Sequence, residues 1–126
     1  EFDPDRRTFG IFCICIAACG YLAHQHHSPP HRQELAAKYG VKYVLAGHVH
    51  EMMHLTLDGV EYISAPSAGG HLRASGKYED GWFFGYIVAT VKGTDVQFVV
   101  HELPAPDGEG RVTPLSDWGV VGLAKK

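Results

Sequence analysis

Gly47-His48-Val49-His50 sets two imidazoles one residue apart, directly after the apolar run from Val41 to Ala46 that only Lys42 interrupts. Alternate side chains at the end of a strand project to the same side, so this spacing can offer both rings to one small volume, and the glycine lets the backbone turn there. Neutral imidazole suits Zn, Fe and Mn, binding Zn at about 2.0–2.1 Å, while its second nitrogen is left for an orienting hydrogen bond. Two imidazoles alone make a weak site. Further donors stand in His24-Gln25-His26-His27-Ser28-Pro29, where proline fixes the chain just beyond the last ring. Seven of the nine histidines fall between positions 24 and 54, a local excess that solubility alone does not require.

The elements that must position these rings follow from the punctuation of the chain. Cys15 to His24 is apolar and reads as a buried strand, all but its last residue within an apolar N-terminal segment covering residues 1–23. Ser28 is the expected N-cap before Pro29 and Pro30. Leu35, Ala36 and Tyr39 have helical spacing over His31–Tyr39, and Gly40 suits a left-handed C-cap. Val41–Ala46 is then a second strand. Strand, helix and strand in this length predict a βαβ crossover, whose parallel strands finish at one edge of the sheet. Ligands gather at the carboxyl ends of such strands, so two histidine clusters distant in sequence are expected to meet there.

Antiparallel β-hairpins follow. Met52–Leu57 and Val60–Ala65 flank Asp58-Gly59, which predicts a type I′ turn. Gly85–Val91 and Asp95–Glu102 flank Lys92-Gly93-Thr94, and the alternation of Val96, Phe98 and Val100 marks a sheet buried mainly on one face. Pro66–Gly81 reads as a long glycine-containing connection. Residues 104–126 read as an irregular tail, docked by Trp118 and Val120. The fold class is therefore α/β, with the main unit at residues 24–103.

The formal charge of -3 and the eleven dispersed Lys and Arg residues give no general attraction to nucleic acid. Cys13, Cys15 and Cys19 are odd in number and crowd one apolar stretch, so they define no disulfide framework; burial or a reducing, intracellular compartment fits them. Phe9–Ala23 is short for a transmembrane span. An export signal is its alternative reading, because Ile16-Ala17-Ala18-Cys19 has the pattern of a bacterial lipoprotein cleavage box.

A His-x-Pro element, a helix, an apolar strand ending in Gly-His-x-His and a following hairpin resemble the calcineurin-like metallophosphoesterase superfamily over roughly His24 to Glu102. The resemblance implies the C-terminal half of a metallophosphoesterase-type α/β sandwich. It makes His27 of His27-Ser28-Pro29 a metal ligand, with His26 the alternative, alongside His48 and His50. His48 would share a metal with His27 and His50 would bind the neighbouring one. The implied cofactors are two divalent or trivalent ions, Mn, Fe or Zn, roughly 3.5–4 Å apart, whose activated hydroxide hydrolyses a phosphate mono- or diester substrate.

The family's Asp-x-His and Gly-Asp-x-x-Asp motifs are not found, and the chain contains no asparagine for a Gly-Asn-His element, so no catalytic acid is assigned. The sequence is accordingly read as a fragment of such an enzyme, of doubtful activity by itself. The alternative is a non-catalytic metal-binding or interaction remnant that uses the sheet edge left open by the missing half.

Ser64 to Gly70 resembles the family loop that follows the hairpin near the cleft, which makes Arg73 a candidate for a substrate phosphate. His31, His54, His71 and His101 have no motif context and read as surface or satisfied core residues. Trp82, Phe83, Phe84 and Tyr86 read as core.

Overall fold

Pro29 and Pro30 open a ten-residue helix, α1 (Pro29–Lys38), because proline lacks only an N–H that the first turn leaves unbonded. Its other end is closed by a Schellman arrangement: Gly40 sits at φ 65°, its N–H reaches Ala37 O at 3.1 Å, and the Val41 N–H reaches Ala36 O at 2.9 Å. The computed structural model describes residues 11–14, 29–103 and 110–124.

Strand β1 (Ile11–Ile14) precedes the helix and β2 (Tyr43–Ala46) follows it, and the two pair in parallel from Ile11↔Tyr43 to Ile14↔Ala46. This is the expected βαβ unit. Its first strand is described at Ile11–Ile14, ahead of the expected Cys15–His24 run, the whole of which lies outside the described residues.

Strands β3 (Met53–Leu57) and β4 (Val60–Ser64) form the first hairpin. Asp58 at φ 51° and Gly59 at φ 75° are both left-handed, as a type I′ turn demands. β4 also runs parallel to β2, which gives the order β1-β2-β4-β3. The C-terminal ends of β2 and β4 therefore lie side by side, with Ala46 opposite Ser64.

A second sheet holds β5 (Gly85–Lys92), β6 (Asp95–Glu102) and β7 (Val112–Pro114), all antiparallel. A small ladder joins β8 (Trp118–Gly119) to β9 (Gly122–Leu123). The stretch read as irregular thus contributes three short strands. Trp118, only 2% exposed, organises them: its indole N–H donates to Thr113 Oγ1 at 3.0 Å. Val120, the other expected anchor, is exposed.

The core lies between the two sheets. Ile63 of β4, Phe98 and Val100 of β6, and Met52, Phe83, Leu115 and Trp118 form one buried cluster, against which Tyr43 and Leu45 of β2 pack. Aromatic rings interlock within it: Phe83 lies 5.0 Å from Trp118, and Tyr43 meets Phe98 edge-on at 5.0 Å. Of the aromatic run read as core, Trp82 and Phe83 are buried while Phe84 and Tyr86 are exposed. Of these four only Tyr86 belongs to β5, where it pairs with His101 on the outer face and stacks on its ring at 5.0 Å. Among the described residues no helix is long and apolar enough to cross a membrane.

Candidate metal centre

β2 delivers Gly47-His48-Val49-His50 to the C-terminal edge of the first sheet, where β4 also ends. The pair does not continue the strand. His48 has φ 76° and His50 φ 70°, so both candidate ligands occupy left-handed backbone instead of the extended alternation expected from their spacing. Such a conformation costs a non-glycine residue roughly 1–3 kcal/mol, and it is found where a fold holds functional side chains in place.

His48 is exposed and His50 partly buried. The His50 ring is held from one side by the Pro66–Gly81 connection, which returns across it. Nδ1 of His50 lies 2.7 Å from the carbonyl oxygen of His71. A carbonyl can only accept, so Nδ1 carries the hydrogen and Nε2 keeps its lone pair. That division of roles is the one an imidazole ligand adopts when its second nitrogen is anchored by a backbone carbonyl. Gly70 completes the cradle: a Cβ at that position would stand 2.7 Å from His50 Cε1, closer than real Cβ atoms approach a neighbour.

Glu51 follows His50. Burial, and then the nearby Asp80 carboxylate, push its carboxyl above the usual carboxylate range. Asp80 in turn accepts a hydrogen bond from Ser75 Oγ at 2.9 Å. At the end of β4, Ser64 is 7% exposed and its Oγ has no partner among the described residues.

His26 and His27 lie outside the described residues. Among those described, no group of three or more His, Cys, Asp or Glu side chains that could hold a metal occurs. His48 and His50 are fewer than such a group requires, although neutral imidazole is a donor type that suits Zn, Mn or Fe. Arg73 is exposed on the connection, two residues beyond the carbonyl that holds His50. His54 Nε2 donates to Glu61 Oε2 at 3.1 Å, and His101 stacks on Tyr86, so both are accounted for by neighbours in their own sheets.

Sequence reasoning put Gly70 in a loop near the cleft without giving it a role, and it missed the contribution of His71, which acts through its main chain and not its ring. The Gly69-Gly70 pair was the available signal: adjacent glycines beside a candidate site mark close approach of backbone to another group.

Neither a protein-family model nor a curated protein matches the chain. Solved structures do. Vacuolar protein sorting 29 of Cryptosporidium parvum is similar at a TM-score of 0.51 and 17% identity, over 75% of this chain and 46% of that one. Wild-type Vps29 of Entamoeba histolytica, solved in complex with Zn2+, gives 0.48 and 11%, over 70% of this chain and 47% of that one. The chain spans about half the length of these proteins. At such identities the likeness concerns the fold, a partial α/β sandwich of the metallophosphoesterase type.

Proposed function

We propose that the chain is the C-terminal part of a metal-dependent phosphoesterase acting on phosphate mono- or diesters. The observation that carries this reading is the His50 ring, tied through Nδ1 to the His71 carbonyl so that Nε2 is left as a donor, two residues from His48 at the C-terminal edge of the first sheet. His48 and His50 would hold metal, and His27, or His26 in its place, would supply a third imidazole from the segment that precedes α1. A bound divalent ion there supplies Lewis-acid polarisation of a phosphoryl oxygen and a nucleophile at neutral pH. Arg73 would meet a phosphate oxygen through its guanidinium fork. The Pro66–Gly81 connection fixes the orientation of His50 and forms one wall of the site.

A second reading, a non-catalytic metal-binding or interaction module, is favoured by a different observation. The fold match at a TM-score of 0.51 is to a protein named for vacuolar sorting, not for hydrolysis.

The two separate in one experiment. The purified chain is incubated with Mn2+ or Zn2+ and chromogenic phosphate mono- and diesters, beside His48→Ala and His50→Ala. Metal-dependent turnover that both substitutions abolish establishes the phosphoesterase. Metal uptake by calorimetry with no turnover favours the module, and no uptake at all removes the metal reading from both and leaves only an interaction module.

A further inference from the structure

The cradle around His50 reaches beyond the ligand itself. Its two components come from a connection 20 residues downstream, and neither is a side chain: one is the carbonyl oxygen of His71, the other is the space left by the missing Cβ of Gly70. A neutral imidazole with no neighbours exchanges its proton between Nδ1 and Nε2, and only the nitrogen without the proton can bind a cation. A fixed acceptor at Nδ1 removes that ambiguity. The ring lies against the backbone of residue 70, and a Cβ there would stand 2.7 Å from His50 Cε1, so that any side chain larger than hydrogen would require the ring or the loop to shift.

We propose that Gly70 and the main-chain carbonyl of His71 are positioning elements that lock the His50 imidazole with its hydrogen on Nδ1, presenting Nε2 as the donor to a metal ion. The proposal rests on His50 being a ligand, as read above. It assigns the Ser64–Arg73 region a role separate from substrate contact: the loop sets the nitrogen and the direction with which His50 binds. The ring of His71 takes no part, because the contact is made by its carbonyl.

Gly70 does not have a left-handed φ, so an alanine there is acceptable to the main chain and acts only through its methyl group, 2.7 Å from the ring. That makes Gly70→Ala a clean probe. Long-range 15N–1H spectra of the metal-free chain, recorded where imidazole is neutral, report which His50 nitrogen carries hydrogen; calorimetry reports Zn2+ affinity. The wild type is expected to show hydrogen on Nδ1 alone. Gly70→Ala is expected to show a mixture of the two forms and to bind Zn2+ about 10–100-fold more weakly, the usual effect of losing an orienting partner. His71→Ala should match the wild type in both measurements.

Hydrogen on Nε2 of His50 in the wild type overturns the proposal, even if Gly70→Ala fails to fold. A Gly70→Ala chain with wild-type spectrum and affinity also overturns it. Zinc bound no more tightly by the wild type than by His50→Ala, with the ring still locked, supports the lock and instead removes the metal reading on which the proposed function stands.

Discussion

Tyr78 donates its hydroxyl hydrogen to Glu102 Oε1 across 2.8 Å, tying the 3-10 turn ahead of β5 to the last residue of β6. Arg111 covers the phenol ring at 4.9 Å, so the end of the second sheet is closed by a stack of three side chains from three segments. Desolvation first, and then the bond to Glu102, raise the Tyr78 pKa above 10.0, while Arg111 opposes the shift.

A phenol whose pKa is raised on folding stabilises the folded chain below the unfolded pKa, and that stability is lost as pH climbs through the folded value. Urea unfolding from about pH 8 to about pH 11 should therefore show a decline above about pH 10 that is shallower in Tyr78→Phe. The decline should not vanish, because Tyr43 and Tyr62 are also raised, chiefly by burial. At neutral pH the same variant should lose about 0.5–1.5 kcal/mol with its hydrogen bond. Parallel pH profiles for the two proteins would show that the Tyr78 hydroxyl is not buried against Glu102.

Trp118 should be the costliest single truncation in the C-terminal stretch. Its ring is 2% exposed and packs against Phe83 at 5.0 Å with the planes tilted by 30°, while its N–H is satisfied by Thr113. Trp118→Ala is expected to cost about 3–5 kcal/mol. Thr113→Val, which orphans the buried N–H, should cost about 1–3 kcal/mol. Val120→Ser, at an exposed position, should stay within about 0.5 kcal/mol of wild type. Equal losses at Trp118 and Val120 in denaturant unfolding would contradict the role assigned to β8 and β9.

What could be read from the sequence was the local part of the fold. Asp58-Gly59 announced its turn because few residues tolerate two successive left-handed positions, and Pro29 and Gly40 marked the helix ends for equally local reasons. The insertion of β4 between β2 and β3 could not be read in this way, since the residue types of Val60–Ser64 do not say which strand it pairs with. Phe84 and Tyr86 point outward for a similar reason: composition gives apolarity, while pairing with Leu103 and His101 decides the face. Of the candidate site, His48 and His50 were legible through type and spacing. Their left-handed backbone was not, and a carbonyl acceptor such as that of His71 has no signature in residue type.

Ser64 gives a prediction about the inside of the first sheet. Its hydroxyl is buried beside Ala46 of β2 with no partner among the described residues. An unbonded buried hydroxyl is a net cost, so Ser64→Ala should raise stability by about 1 kcal/mol in urea unfolding. A loss of the same size would show that the hydroxyl is bonded to a group outside the described residues.

His48 carries the sharpest trade-off between stability and binding. At φ 76° its backbone is strained for any residue with a Cβ, by about 1–2 kcal/mol, and glycine removes that strain. Glycine also adds freedom to the unfolded chain worth roughly 0.5–1 kcal/mol, so His48→Gly should leave the metal-free protein more stable by about 0.5–1 kcal/mol. In the presence of Zn2+ the order should reverse. Zinc at 100 times its dissociation constant stabilises a binding protein by about 2.7 kcal/mol, and the variant without the His48 imidazole should gain far less. Thermal melts of both proteins, with Zn2+ and with a chelator, measure the four quantities together. A variant less stable than wild type in chelator would contradict the left-handed geometry, and an undiminished zinc shift would remove His48 from the ligand set.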